Sequence, residues 1–218
     1  MLKKTQLLEV LQVGLQAMDL PIPANTQAQL LDYIEILFKW NAVHNLTAVR
    51  DPQEMIKRHL LDSLILLPFL PSGRIADVGT GAGLPGIPLA LANSELKLVL
   101  LDSNQKKITF VQHVILSLKL RNVTAVCTRV EKYPIDQQFD FVISRAFSSL
   151  SEFVLQASHL CKQDGRLIAM KGAIDPLEIA TMPAEYTVEK IQPVEVPGLL
   201  VPRSLVFIVI NNGGSRGK

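Results

Sequence analysis

The chain has 218 residues, of which 48% are hydrophobic and 19% are charged, a composition that fits one or at most two compact domains with a substantial core. Lys and Arg number 22 against 20 Asp and Glu, and the resulting net charge of +2 neither requires nor excludes a nucleic-acid partner. Cys127 and Cys161 lie far apart with no nearby Cys or His at metal spacing, which suggests neither a disulfide framework nor a zinc site and leads us to expect a cytoplasmic protein.

Residues 1–72 are predicted to form a helical extension. Asp51 can cap a helix that has Pro52 at its first position and Glu54 where a capping-box acid belongs. Two earlier apolar faces at helical spacing predict two further helices, with Leu7, Leu8, Leu11 and Leu15 on one and Leu30, Ile34, Leu37 and Phe38 on the other. We expect these helices to cover one edge of the domain.

Neither a secretory signal nor a membrane span is expected. Gln6, Glu9, Gln12 and Gln16 interrupt the apolar residues at the start of the chain, which is helical amphipathicity rather than a signal sequence. The longest apolar run, residues 64–70, is far shorter than the roughly 20 residues that a spanning helix needs.

Residues 73–211 change to a strand-like pattern with helical stretches between most strands. Five such strands are predicted first. Two more, residues 186–191 and 205–210, follow them and are joined by a connection too short for a crossover helix, so these two should be antiparallel neighbours. This is the layout of a Rossmann-like class I adenosylmethionine-dependent methyltransferase with a seven-stranded mixed sheet, and the polar tail 212–218 is expected to be disordered. The first five predicted strands are residues 75–78, 96–101, 123–127, 139–143 and 167–170.

A glycine-rich loop follows the first predicted strand and precedes a helix. Gly81, Gly83 and Gly86 match the dinucleotide fingerprint of a nicotinamide oxidoreductase, but that match needs the strand to continue through Gly79, a poor strand residue. The alternative, an acid at Asp77 followed by Gly79, Gly81 and Gly83, fits an adenosylmethionine loop whose glycines make room for the amino-acid half of the cofactor. The loop therefore favours adenosylmethionine.

Residues after the other strands should join this loop, because ligands of open α/β sheets bind at the carboxyl ends of the strands. Asp102 is placed to accept hydrogen bonds from ribose hydroxyls, or else to cap the next helix. Val130 and Glu131 could meet the adenine, or form an exposed turn. Arg145 could bind a carboxylate or an RNA phosphate, or form a structural ion pair, and the same alternatives hold for Lys171.

Several separated strings resemble the bacterial glucose-inhibited division protein B family of 16S ribosomal RNA guanine-N7 methyltransferases. They are Trp40-Asn41 with Asn45-Leu46-Thr47, the hexapeptide RHLLDS at 58–63, DVGTGAGLPGIPLA from Asp77, and ISRAF from Ile143. The resemblance covers nearly the whole chain. It implies methylation of one guanine in the 530 loop of 16S ribosomal RNA, at conventional RNA position 527, with the RNA or the small ribosomal subunit as partner. It places the adenosylmethionine contacts on Gly79, Leu84, Val130, Glu131 and Arg145.

The chemistry that the resemblance implies needs no catalytic base. The in-plane lone pair of guanine N7 is free at neutral pH, so the enzyme's main task is alignment. N7 lies on the major-groove edge, which a paired A-form stem hides, so we expect the base to be drawn out and held near Arg145 and Phe147.

A noncatalytic RNA-binding or assembly factor is the alternative from a different class. In that case Lys3, Lys4, Arg50, Lys57 and Arg58 would form a phosphate-facing surface. Cofactor binding separates the two hypotheses. In either case we expect a monomer.

Overall fold

A seven-stranded mixed sheet forms the centre of the protein. The computed structural model describes residues 4–145 and 147–211, so the predicted disordered tail lies outside the described residues. The strand order is β3-β2-β1-β4-β5-β7-β6, and β7 runs antiparallel to both of its neighbours. The predicted fold class and the terminal hairpin are thereby confirmed. The strands are β1 (Gly73–Val78), β2 (Leu96–Asp102), β3 (Val123–Cys127), β4 (Phe139–Ser144), β5 (Cys161–Lys171), β6 (Tyr186–Val194) and β7 (Arg203–Ile210).

Eight α-helices are found in the described residues. They are α1 (Lys4–Ala17), α2 (Ala24–His44), α3 (Pro52–Met55), α4 (Asp62–Leu64), α5 (Gly86–Ala92), α6 (Gln105–Ser117), α7 (Leu150–Ala157) and α8 (Pro176–Ala180). A π-helical segment, Ile56–Leu61, joins α3 directly to α4. The predicted start of the third helix is confirmed, because the Asp51 carboxylate accepts the Glu54 N–H at 2.9 Å and Pro52 holds the first position. None of these helices is long and apolar enough to cross a membrane.

The amino-terminal helices cover one face of the sheet. Their buried side chains, such as Leu11 and Leu30, share one hydrophobic cluster with Ile75 of β1 and Ile168 of β5. The crossover helix α5 on that face has only seven residues, so the additional helices are needed to keep the apolar sheet surface away from water. They also reach the glycine loop, since the buried Tyr33 hydroxyl donates to the Ala82 carbonyl at 2.8 Å.

The opposite face of the sheet is covered unevenly. Helix α7 buries Phe153 and Val154 against this face in a second hydrophobic cluster that includes Val142 of β4. The connection from β3 to β4, by contrast, contains a single 3-10 turn, Val130–Lys132, and no α-helix. This short connection brings Val130 to the carboxyl end of the sheet.

Candidate cofactor and substrate site

The glycine loop turns sharply at the end of β1. Gly79, Gly81 and Gly83 have φ angles of 71°, 60° and 83°, in the left-handed region that favours glycine. Gly86 has no such angle and lies within α5, where an added Cβ would collide with the Leu100 side chain. Because β1 ends at Val78, the strand does not continue through Gly79 as the dinucleotide match requires.

Asp77 is a fully buried carboxylate that holds this loop together. Its Oδ2 accepts hydrogen bonds from the Thr80 hydroxyl at 2.7 Å and from the Gly86 N–H at 2.9 Å. Its Oδ1 is buried with no hydrogen-bond partner among the described residues. Burial raises the pKa of Asp77 to about 6, against the opposing effect of these two hydrogen bonds. Both of these hydrogen bonds therefore connect Asp77 to the loop and to the start of the helix that follows it.

Asp102 fixes the loop from the neighbouring strand. Its Oδ2 accepts the Gly81 N–H at 2.9 Å and its Oδ1 accepts the Asn104 N–H at 2.8 Å. The cap of α6 is the Asn104 side chain, which accepts the Lys106 and Lys107 N–H groups. Asp102 is therefore a bridge between loop and helix, and each of its carboxylate oxygens has a further lone pair for a ligand.

A cleft of about 630 Å³ opens at the carboxyl ends of β1 to β4. Gly79, Asp102, Val130 and Glu131 line it, with Phe147 on the other side. Its size is within the usual range for small-molecule and cofactor sites, about 300–1,000 Å³. The cleft thus brings together residues from four separate connections, as predicted from the positions of the strand ends.

A smaller cavity of about 180 Å³ continues from the cleft past Gly79, which lines both. Gly81, Leu84, Thr47 and Arg145 also line it. A Cβ added at Gly81 would meet only the Gly79 carbonyl oxygen, at 4.0 Å, so a side chain there would enter open space. A ligand can therefore approach the backbone at this position, which is the property that an adenosylmethionine loop requires.

Arg145 is anchored by a buried carboxylate that the sequence analysis did not single out. Its Nη1 donates to Asp62 Oδ2 at 3.2 Å and to the Arg58 carbonyl at 3.1 Å. Arg203 donates from Nε to the other oxygen of Asp62 at 2.8 Å. The Asp62 side chain is 2% exposed, whereas the two arginines are 27% and 25% exposed. One buried acid therefore holds two guanidinium groups at the carboxyl rim of the sheet.

Comparison with known proteins agrees with this geometry. Residues 26–206 match the model of the GidB family, described as rRNA small subunit methyltransferase G. The chain belongs to this family. It is 51% identical to ribosomal RNA small subunit methyltransferase G of Nitrosomonas eutropha, over 85% of this chain and 88% of that protein. The protein of the same name from Escherichia coli O1:K1 is 48% identical over 84% of this chain and 88% of its own length. The recognition made from the motifs is confirmed, and the oxidoreductase alternative is not favoured.

Solved structures support the GidB fold. A SAM-dependent methyltransferase from Aquifex aeolicus aligns with a TM-score of 0.55 at 17% identity, over 83% of this chain and 98% of that one. Mitomycin 7-O-methyltransferase MmcR aligns with a TM-score of 0.60 at 13% identity, over 74% of this chain and 56% of that one. At these identities the likeness concerns the fold alone.

Thr47, from the GidB string Asn45-Leu46-Thr47, is a second polar residue at the smaller cavity. Its place there could not be predicted from its position in the sequence. Its hydroxyl accepts the Val49 N–H at 3.2 Å and lies 3.0 Å from Nε2 of the buried His59. Burial, followed by the nearby Arg145 charge, lowers the pKa of His59 to about 4, so this imidazole is neutral at pH 7. The neutral ring therefore fixes a hydroxyl group at the wall of the small cavity.

Two other predicted rim residues are partly engaged inside the GidB chain. Phe147 packs on Phe153 with ring centroids 5.3 Å apart, so only part of its ring remains for a flipped base. Lys171 donates to Glu178 at 2.7 Å and to the Ser148 carbonyl at 3.0 Å. Of the alternatives that the sequence left open for Lys171, the structure shows the structural ion pair.

Asp77→Asn should alter how stability depends on pH. An acid whose pKa is raised on folding stabilises the folded state at low pH, and it loses this contribution as the pH rises from the unfolded to the folded pKa. Relative to Asp77→Asn, the wild type should therefore lose up to about 3 kcal/mol between pH 4 and pH 6, since each unit is worth about 1.4 kcal/mol. Urea unfolding of both proteins across this range measures the difference. A difference that does not change with pH would contradict the prediction.

Proposed function

We propose that this protein transfers a methyl group from S-adenosylmethionine to N7 of one guanine in the 530 loop of 16S ribosomal RNA. The observation that carries the proposal is a cofactor-sized cleft and a smaller cavity that share Gly79, in a chain of the GidB family. The five residues that the motif resemblance implies as cofactor contacts all line one or both of these spaces.

The residues of the cleft fit the nucleoside half of the cofactor. We assign Asp102 to the ribose hydroxyls, Val130 to the face of the adenine, and Glu131 to its exocyclic amine. Gly79 and Gly81 leave the backbone open beside the smaller cavity, where Leu84 supplies an apolar wall. Gly83, also predicted as a cofactor contact, is buried and lines neither space, and a Cβ there would collide with Ile87 at 2.6 Å. Asp77 stabilises this arrangement through its hydrogen bonds to Thr80 and to Gly86 at the start of α5.

Adenosylmethionine, when bound, supplies a methyl group that is activated by a positively charged sulfonium. The protein's own contribution is alignment, because guanine N7 needs no deprotonation. Holding the reacting groups in line can lower the barrier by about 7 to 11 kcal/mol in favourable cases. We assign this task to the rigid rim around the smaller cavity, in which Asp62 fixes Arg145 and His59 fixes Thr47. Arg145 can there meet the carboxylate of the cofactor or an RNA phosphate.

We further propose that residues 1–72 act as a helical extension of a methyltransferase domain at 73–211, and that the protein works as a cytoplasmic monomer. Light scattering of the purified protein, free and with RNA, tests the oligomeric state.

Methyl transfer is tested with purified protein, S-adenosylmethionine and unmodified 16S ribosomal RNA, offered both as naked RNA and as small subunits. Nuclease digestion and mass spectrometry should find 7-methylguanosine at a single position in the 530 loop. Comparison of the two RNA forms identifies the substrate. Methylation at another atom or in another RNA segment, or no methylation of either form, would refute the proposed function.

A further inference from the structure

An enzyme that acts on ribosomal RNA must bind a polyanion, yet the cofactor cleft is poorly suited to that task. Three carboxylates line it, from Asp102, Glu131 and Glu152, against two cations, Lys107 and Arg129. Lys107 also lies 3.6 Å from the Asp102 carboxylate. Affinity for the phosphate backbone must therefore come largely from another part of the surface.

The amino-terminal cations, the alternative phosphate-facing surface, are partly neutralised within the protein. Lys4 pairs with Asp32 at 2.7 Å. Lys57 and Arg58 both pair with Glu54, at 2.9 and 3.0 Å. Arg50 donates to the Asn45 side chain, and Lys3 lies outside the described residues. The four described cations thus face two carboxylates, so about half of their charge is offset within the protein.

A groove of about 750 Å³ at the amino ends of β1 to β3 has the opposite character. Four cations line it, Arg74, Lys97, Lys119 and Arg121, and no described Asp or Glu does. No described carboxylate comes within 4.0 Å of any of the four charged groups. The groove therefore concentrates positive charge that the protein does not use internally.

The sheet itself arranges this charge. Arg74 and Lys97 are direct partners in the parallel register of β1 and β2, so their side chains leave the same face of the sheet. The Arg74 guanidinium lies over the Phe139 ring, 5.3 Å from its centroid, which limits its motion. Lys97 is exposed because the connection from β3 to β4 has no helix to cover this part of the face.

The nearest acids do not cancel the charge of the groove. The Asp140 carboxylate accepts the Arg74 backbone N–H at 2.7 Å and pairs with Lys162. Glu95 is exposed beside Ser94, one of the lining residues, but is itself not part of the lining. Neutral polar side chains, such as Thr124 and Gln137, and apolar side chains, such as Leu91 and Leu118, form the rest of the lining. Cations mixed with neutral polar groups suit contact with phosphate and sugar rather than with base edges.

We propose that this groove, formed by Arg74, Lys97, Lys119 and Arg121, binds the sugar-phosphate backbone of 16S ribosomal RNA at a segment remote from the target guanine. The inference rests on the proposed function. The groove lies at the opposite ends of the strands from the cofactor site, and the seven residues of β2 separate the two by about 20 Å. The RNA is therefore held at two places, and only one of them presents a base for methylation.

The test compares two variants that lose equal charge. Lys97→Gln/Lys119→Gln/Arg121→Gln removes exposed cations of the groove, and Lys4→Gln/Lys39→Gln/Lys190→Gln removes exposed cations from α1, α2 and β6. Binding of a 16S ribosomal RNA transcript is measured by filter retention from 50 to 300 mM salt, beside a short stem-loop that carries only the 530 loop. Adenosylmethionine binding is measured by calorimetry for every protein.

The groove variant should bind the long RNA about 10- to 100-fold more weakly, with the slope of log K against log salt reduced by about 2 to 3. Its affinity for the stem-loop and for adenosylmethionine should stay within about twofold of wild type. In methylation of the long RNA, its KM for that RNA should be raised and its kcat unchanged. The control variant should lose much less affinity for the long RNA.

Equal losses in the two variants would overturn the proposal, because general charge rather than the groove would then be responsible. An equal loss for the stem-loop would overturn it too, since that RNA is too short to reach both places. Unchanged binding of the naked transcript would overturn it as well; if the same variant then bound purified small subunits more weakly, the groove would be assigned to a ribosomal protein instead. If wild type methylates no RNA at all, the proposed function fails, and the binding comparison still decides the role of the groove.

Discussion

Gly81→Val should abolish adenosylmethionine binding, with at least a 100-fold loss of affinity, while the fold survives. A side chain at Gly81, which lines the smaller cavity, would enter open space, because its Cβ meets only the Gly79 carbonyl oxygen at 4.0 Å. The φ angle of 60° adds a strain of about 1 to 2 kcal/mol, which a folded domain of this size tolerates. Calorimetric titration and thermal unfolding measure the two effects separately.

Gly172→Ala is the matched control for this change. Gly172 follows β5 at the same end of the sheet, but its added Cβ would make an ordinary contact of 3.8 Å with the Pro202 carbonyl oxygen. It lines neither the cleft nor the smaller cavity. The control should bind adenosylmethionine as the wild type does. Wild-type affinity in Gly81→Val would show that the cofactor does not approach the loop at this point.

The sheet could be predicted almost completely from the sequence because most strands contain a short apolar run. Alternation of strands and helices fixed the parallel part, and the short connection before β7 could not hold a crossover helix. The exception was β5, predicted as 167–170 but extending from Cys161 to Lys171. Its first half contains Gln163, Asp164 and Gly165, which are polar or small and lie in an irregularity between the β4 pairs of Cys161 and Arg166, so they show no strand pattern in the sequence.

The residues at the strand ends were predictable as a group, but the bonds between them were not. Asp102 was expected to meet a ribose, and in the protein it also holds the Gly81 N–H. That bond depends on the three-dimensional path of the loop, which spacing in sequence does not define. Likewise, periodicity identified the amino-terminal helices but not the strands against which they pack, because an apolar stripe can be buried against any apolar surface.

Asp62 and Thr47 belong to the family strings, but their contacts in the site are not evident from those strings alone. Asp62 interrupts the apolar run of residues 60–66, and a carboxylate in such a position is rarely buried without a cation. Its partners, Arg145 and Arg203, are 83 and 141 residues away, so the acid alone predicts a buried ion pair but not its members. Thr47 depends in the same way on His59, across the turn before α3.

Arg145→Ala should reduce methylation by at least 100-fold and lower stability by only about 1 to 3 kcal/mol. The Asp62 carboxylate that it leaves behind is 2% exposed, but it keeps its 2.8 Å bond to Arg203. The cost of an uncompensated buried charge is therefore only partly incurred. Activity falls much further, because the guanidinium is the cation that lines the smaller cavity.

Asp62→Asn separates anchoring from contact at this cluster. It leaves both guanidinium groups in place but removes the charge that holds them, so Arg145 should still reach a ligand with less defined geometry. We expect kcat to fall by about 10- to 100-fold, with a smaller change in the Kd of adenosylmethionine. The double variant Asp62→Asn/Arg145→Ala should lose little more methylation activity than Arg145→Ala alone. Arg166→Ala, which breaks an exposed pair with Glu189, is the control and should cost at most about 1 kcal/mol and no activity. Unchanged methylation in Arg145→Ala, or its outright unfolding, would restrict the Asp62 cluster to a structural role.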